Sequence, residues 1–280
     1  MPRYKLILEY DGSAFVGWQR QMNGPSVQAA VEEAISRFAG HPVTVIGAGR
    51  TDAGVHAAGQ VAHVDLERPW PTATIRAATN FHLKPAAVAV LAAAEADSAF
   101  HARFSASARV YCYRILNRAA PPVLDRGRVW WLPKPLDTDA MAAAARLLVG
   151  RHDFSAFRAA LCQARSPVKT LDALVVRRVG DEIWLEARAR SFLHNQVRII
   201  AGTLREVGED RVVPERVAAA LASGRRDLAG PTAPAAGLCL MEVRYPRPDG
   251  EPASVQPAGD RADDQAHDDI EDDDADRHEA

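Results

Sequence analysis

Cysteine is scarce in this chain: three in 280 residues, at Cys112, Cys162 and Cys239. They are odd in number and far apart, and no C-x-x-C pair occurs. That excludes a disulfide framework and a thiolate zinc site from the reading. The three read instead as small buried hydrophobes. Long apolar runs are also missing: no window approaches the roughly 18 consecutive apolar residues of a membrane-spanning helix. The segment Met1-Pro2-Arg3-Tyr4-Lys5-Leu6 runs directly into a strand-like stretch with no signal-peptide apolar region, so a cytoplasmic protein is expected, with no membrane partner. His56, His63, His101 and His194 are scattered without ligand spacing, so neither a metal site nor a cofactor site is expected.

What is present is enough apolar material for a sizeable core, at 48% hydrophobic residues, and an uneven charge distribution. The formal net charge is −2, from 34 basic and 36 acidic residues. Residues 247–280 hold 13 of the acidic and 3 of the basic ones. That leaves 31 basic and 23 acidic residues in 1–246, a balance of +8. A basic body suits a polyanionic partner such as nucleic acid, and equally a solvated surface of mixed charge. The tail 247–280 is rich in Asp, Pro, Ala and Gly, with too few large apolar residues to offset ordering entropy, and is expected to be disordered.

The body alternates between strand and helix patterns. Tyr4–Tyr10 reads as a strand turned by Asp11-Gly12. Ser26 reads as an N-cap before Val27, Val31, Ala34, Ile35 and Phe38 at helical spacing, with Gly40 and Pro42 ending that helix. A buried strand is expected at 43–47, then strands near 60–66, 88–94 and 110–117, with a helix at 72–81 between the first two. Further along, Trp130-Trp131 ends a short strand, 139–148 is a helix, 174–179 and 183–189 form a hairpin around Gly180-Asp181, and 193–207 is a long helix. A helix opened by Pro214 and a final strand at 238–245 complete the pattern. The simplest architecture is α+β: a half at 1–117, a connecting segment at 118–136, a second half at 137–246 and the acidic tail. The natural site is the cleft between the halves.

The chemistry concentrates in Gly49-Arg50-Thr51-Asp52-Ala53-Gly54-Val55-His56, which follows the β-branched run Val43-Thr44-Val45-Ile46. A loop at a strand end holds a reactive side chain on a rigid scaffold, and flanking glycines let a ligand approach the backbone. Arg50 can keep Asp52 ionised or bind a phosphate beside it. Upstream, Tyr10-Asp11-Gly12 and Gly17-Trp18-Gln19-Arg20-Gln21 offer a turn whose Trp18 either stacks on a base or belongs to the core. Downstream, Phe100-His101-Ala102-Arg103-Phe104 precedes Arg109, Tyr111 and Tyr113, which share one face of a strand.

These segments, taken in order over nearly all of 1–246, resemble the TruA family of tRNA pseudouridine synthases. The resemblance implies a pseudouridine synthase fold, with two similar α/β halves forming a largely antiparallel central sheet. It implies isomerisation of uridine to pseudouridine at positions 38, 39 and 40 of the tRNA anticodon stem-loop, without cofactor or metal, by a homodimer. Asp52 corresponds to the catalytic residue, acting as nucleophile or as base, and Tyr111 to the aromatic that stacks on the target base. In Phe192-Leu193-His194-Asn195-Gln196-Val197-Arg198, the Val197-Arg198 pair matches and Arg198 corresponds to the arginine paired with the catalytic aspartate. Such a pair is expected to be bidentate and to hold the acid ionised. Asn195-Gln196 departs from the His-Met common in the family. Leu238, in Gly237-Leu238-Cys239-Leu240, corresponds to a lining residue of the base pocket. Arg20, Arg50, Arg103 and Arg109 are the basic residues expected to hold phosphates.

Two other classes fit parts of the same residues. A hydrolase would use Asp52 with a second carboxylate such as Glu9 or Asp11, or with a metal cluster, and neither is positioned by the sequence. A non-catalytic RNA-binding module would use the basic body and the aromatics, but has little use for a desolvated carboxylate facing RNA.

Overall fold

The computed structural model describes residues 1–160 and 162–246; the expected acidic tail lies outside the described residues. Among them, ten strands form one sheet: β1 (Arg3–Tyr10), β2 (Val45–Gly47), β3 (His56–Asp65), β4 (Val88–Ala96), β5 (Ala108–Leu116), β6 (Trp130–Trp131), β7 (Gly150–Asp153), β8 (Val168–Val179), β9 (Glu182–Ala189) and β10 (Leu238–Arg244). The order is β4-β1-β3-β10-β5-β9-β8-β7, with β2 added to β3 and β6 to β5. All pairings are antiparallel except β10 with β3 and β6 with β5. The protein is therefore α+β with a largely antiparallel central sheet.

The last strand is the one at the centre. β10 inserts between β3 and β5, so the register runs Ala57, Leu240, Tyr111, Ala187 across four strands. This row places the start of β3, just after the Asp52 loop, two strands from Tyr111. The apolar sequence of β10 suits that central place: Leu238, Leu240 and Val243 are buried.

Five helices accompany the sheet among the described residues: α1 (Val27–Ala39), α2 (Thr72–Leu83), α3 (Thr138–Arg146), α4 (Gln196–Gly208) and α5 (Glu215–Ser223). None is long and apolar enough to cross a membrane. α1 packs on α2 and β2, and α2 on β4; α3 packs on α4 and β8, and α4 on β5. The Ser26 hydroxyl accepts from the Ala29 N–H at 3.3 Å and Gly40 ends α1 at φ 81°, the cap pair read from sequence.

Three local expectations change. The stretch 43–47 is not a buried strand: β2 is three residues long, pairs only with β3, and leaves Ile46 at 37% exposure. The helix expected from Leu193 begins at Gln196, because Asn195 takes a left-handed φ of 61° and breaks the entry. β7 was not anticipated, and β8 begins at Val168 rather than Leu174. Residues 150–153 and 168–171 pair with each other at the sheet end and are mostly half-buried or exposed, so neither carries the apolar alternation that marks a strand.

Candidate active site

The Asp52 loop is clamped from below. Tyr10 is buried and its hydroxyl is 2.8 Å from Thr51 Oγ1. Gln60 Nε2 donates to the Gly49 carbonyl at 2.8 Å. The Trp18 N–H donates to the Thr51 carbonyl at 3.1 Å, and the Gly54 N–H to the Phe15 carbonyl at 3.2 Å. The turn at 12–18 approaches so closely that a Cβ on Gly12 would lie 2.1 Å from the Val55 carbonyl oxygen, and one on Gly17 2.7 Å from that of Thr51. Trp18 is 2% exposed and lies against Gly47, so it belongs to the core and stacks on no base. The motif 10–18 is thus a buttress for the loop.

His56 ends the loop as a buried tether. Its Nδ1 accepts from the Gly12 N–H at 3.1 Å and its Nε2 meets the Gly127 carbonyl at 2.9 Å. The connecting segment is thereby tied to the start of β3.

The Asp52 carboxylate is met from the other half of the chain. Arg198 Nη1 lies 3.8 Å from Oδ2, and His194 Nε2 lies 3.5 Å from Oδ1. The Arg198 side chain is the more enclosed, 18% exposed against 44% for His194. Arg198 Nε donates to the Ala233 carbonyl at 2.7 Å and its Nη1 to Asn195 Oδ1 at 3.0 Å. The guanidinium is therefore anchored by its neighbours and touches the acid with one nitrogen; the expected bidentate fork is absent. Burial pushes the Asp52 pKa above the usual carboxylate value, and His194, Arg198 and the Asn195 backbone N–H each pull it down without cancelling that effect. The expected lowering is reversed because desolvation outweighs contacts of this length. No contact of His194 with Asp52 follows from the sequence, and Asn195 stands out there only as a departure from the family pattern; Asn tolerates the left-handed conformation that opens α4 better than most residues.

Tyr111 is 7% exposed and packs edge-on against Phe192, with ring centroids 5.2 Å apart and an interplanar angle of 89°. Burial raises its phenol pKa, and the nearby Tyr10 and the Asp52 carboxylate act in the same direction, so the ring is neutral at physiological pH. Tyr113, on the same strand face, is a core residue whose hydroxyl donates to the Pro234 carbonyl at 2.8 Å. Leu238 is buried opposite Tyr113 in β10.

The arginines divide. Arg50 is exposed, with Nη1 3.4 Å from Gln163 Oε1, and Arg103 is exposed on the turn before β5. Arg20 is engaged by Glu32 at 2.6 Å. Arg109 is buried, and its guanidinium donates to the carbonyls of Ala48, Arg103 and Arg190. Its donors are used within the protein, so it braces three segments around the site where a phosphate contact was expected.

A family model described as tRNA pseudouridine synthase matches residues 6–105 and 144–246, which include Asp52, His194 and Arg198. The tRNA pseudouridine synthase A of Rhodospirillum rubrum is 57% identical over 259 residues, covering 92% of both chains. That of Paramagnetospirillum magneticum is 58% identical over 245 residues, covering 88% of this chain and 96% of its own. That of Rhodospirillum centenum is 60% identical over 245 residues, covering 88% of this chain and all of its own.

Proposed function

The chain belongs to the tRNA pseudouridine synthase family, and from that premise we propose that it isomerises uridine to pseudouridine at positions 38, 39 and 40 of the tRNA anticodon stem-loop, with Asp52 as the essential carboxylate. The reaction breaks the N1–C1′ bond of uridine and forms a C5–C1′ bond. C5 loses its proton and N1 gains one, so no group is added and no electrons are transferred.

The observation that carries the role of Asp52 is its setting: one partly buried carboxylate on a clamped loop, faced by Arg198 and His194 and close to the Tyr111 ring. The flipped uracil needs a flat partner, which Tyr111 supplies, held on edge by Phe192. Asp52 either attacks the nucleoside or removes a proton to start glycosidic cleavage. Both roles need the ionised acid, which Arg198 and His194 favour against the cost of burial. Arg50 and Arg103 are exposed and suited to backbone phosphates, and Leu238 supports the pocket wall from β10. The proposal includes a homodimer that forms the tRNA surface together, and a cytoplasmic location.

The deciding experiment incubates purified protein with unmodified tRNA carrying uridines at 38, 39 and 40, in EDTA and without cofactor, and maps pseudouridine site by site. Conversion at those sites by the wild type, and none by Asp52→Asn with RNA binding retained, is the expected result. Conversion by Asp52→Asn overturns the catalytic assignment. Strand cleavage or free uracil points to a hydrolase.

A further inference from the structure

The turn 101–105 holds a phenylalanine out of the core on a tightly braced backbone. Phe104 is 69% exposed. The N–H groups of Arg103 and Phe104 both donate to His101 Nδ1, at 3.2 and 3.3 Å. The His101 N–H donates to Ser105 Oγ at 3.0 Å, and the Ser105 N–H to the His101 carbonyl at 2.9 Å. The Ala102 N–H donates to buried His63 Nδ1 at 3.1 Å, and Tyr245 donates to the Ala102 carbonyl at 2.7 Å. Both backbone polar groups of Ala102 are thus held by groups anchored in the body of the protein.

A lone exposed apolar side chain needs no explanation. This one differs in what surrounds it. The His101 ring lies 4.4 Å from the Phe104 ring at an interplanar angle of 32°, and the Arg103 guanidinium carbon lies 5.6 Å from its centroid. A flat ring flanked by an imidazole and a guanidinium, with most of its surface open, matches single-stranded nucleic acid: a nucleobase stacks on the ring while the cation meets its phosphate. The turn is also fixed relative to the catalytic loop, because one guanidinium, that of Arg109, bonds the carbonyls of both Arg103 and Ala48. Ala48 leads directly into the Gly49–His56 loop.

We propose that Phe104, with His101 and Arg103 beside it, is a stacking platform for an unpaired nucleobase of the RNA substrate, separate from the base that Tyr111 and Asp52 handle. The inference rests on the RNA-modifying function proposed above. It assigns Phe104 to substrate capture and register, with no part in the chemical step. Rigidity is what makes the platform effective, since a preorganised ring loses little conformational freedom when a base stacks on it.

The test compares Phe104→Ala, Phe104→Leu and Phe104→Trp in binding and conversion of an anticodon stem-loop RNA. The ring is exposed, so the variants are expected to fold, and thermal melting checks this. Alanine and leucine are expected to weaken binding by about tenfold and to raise KM, with kcat at saturating RNA unchanged, while tryptophan restores both. The salt dependence separates the two components: the slope of log Kd against log salt stays the same in Phe104→Ala and falls by about 0.7 in Arg103→Gln. A Phe104→Ala protein that binds RNA as tightly as the wild type overturns the platform, as does a leucine variant equal to phenylalanine. Wild-type protein that binds the RNA without converting it counts against the enzymatic reading, while the Phe104 comparison in binding still decides the platform.

Discussion

Asp52 and Arg198, from opposite halves of the chain, meet at 3.8 Å, and the arginine reaches the acid while anchored to the Ala233 carbonyl and the Asn195 side chain. The acid is thus tuned by a cation that is fixed in place and only loosely paired. A closer, bidentate pair would hold the carboxylate more firmly ionised but would tie up both oxygens. The longer contact leaves both carboxylate oxygens loosely held, as the role proposed for Asp52 requires.

Removing the Arg198 charge is expected to raise the Asp52 pKa further, because a side-chain cation that opposes desolvation is lost. A carboxylate with a raised pKa is ionised only at higher pH, so the acidic limb of the pH–rate profile should move to higher pH in Arg198→Gln. Single-turnover rates across the acidic range measure this, and the rate at neutral pH should fall roughly ten- to hundredfold. An unmoved limb would show that Arg198 only braces the loop.

Tyr111 should tolerate loss of its hydroxyl better than loss of its ring. Tyr111→Phe keeps the edge-to-face contact with Phe192 and is expected to stay within about tenfold of wild-type kcat/KM. Tyr111→Ala empties a buried site and should cost about 3–5 kcal/mol of stability together with most activity. Urea unfolding and tRNA turnover separate the two effects.

Two loop-associated glycines should behave differently. A methyl on Gly12 would meet the Val55 carbonyl carbon and oxygen at 2.5 and 2.1 Å, both backbone atoms with nowhere to go. Gly12→Ala is expected to lose about 1–3 kcal/mol and to displace the Asp52 loop, lowering kcat. A methyl on Gly49 would meet only Arg109, at 3.5 Å, an ordinary contact, so Gly49→Ala should change stability by less than about 0.5 kcal/mol.

His63 should make the fold acid-sensitive. It is 3% exposed, and burial, with the charges of Arg3 and His101, lowers its pKa from 6.5 to about 4, against a smaller opposing effect of Asp65. Above pH 6.5 the residue is neutral in both folded and unfolded chains. As pH falls towards 4 the unfolded chain takes up a proton that the native one does not, and stability drops by roughly 3 kcal/mol in total. His63→Gln keeps an acceptor for the Ala102 N–H without titrating, so its stability curve between pH 6.5 and 4 should be flatter. Parallel curves for the two proteins would exclude His63 as the cause.

The chain order of elements could be read from local chemistry because each signal is short-range. The Ser26 cap, the Gly40 stop and the alternation in β1 act within a few residues. The Gly49–His56 loop stood out for the same reason, since its composition is unusual over eight positions. β7 and the first residues of β8 carry no such signal because they pair at a sheet end where both faces are partly wet, and the start of α4 is marked only by the left-handed Asn195.

Sequence by itself determined the alternating α+β order and the basic body, through periodicity, capping and composition, and made the Gly49–His56 run conspicuous, while the expectation for Tyr111 and Arg198 came from the family resemblance. Tertiary structure alone decided that the last strand enters the sheet centre and brings the β3 and β5 regions together, that Trp18 is core, and that Arg109 binds carbonyls. It also decided the sign of the Asp52 shift. That sign is the difference between desolvation and the pull of Arg198 and His194, and both depend on distances between residues far apart in the chain, which no local pattern encodes.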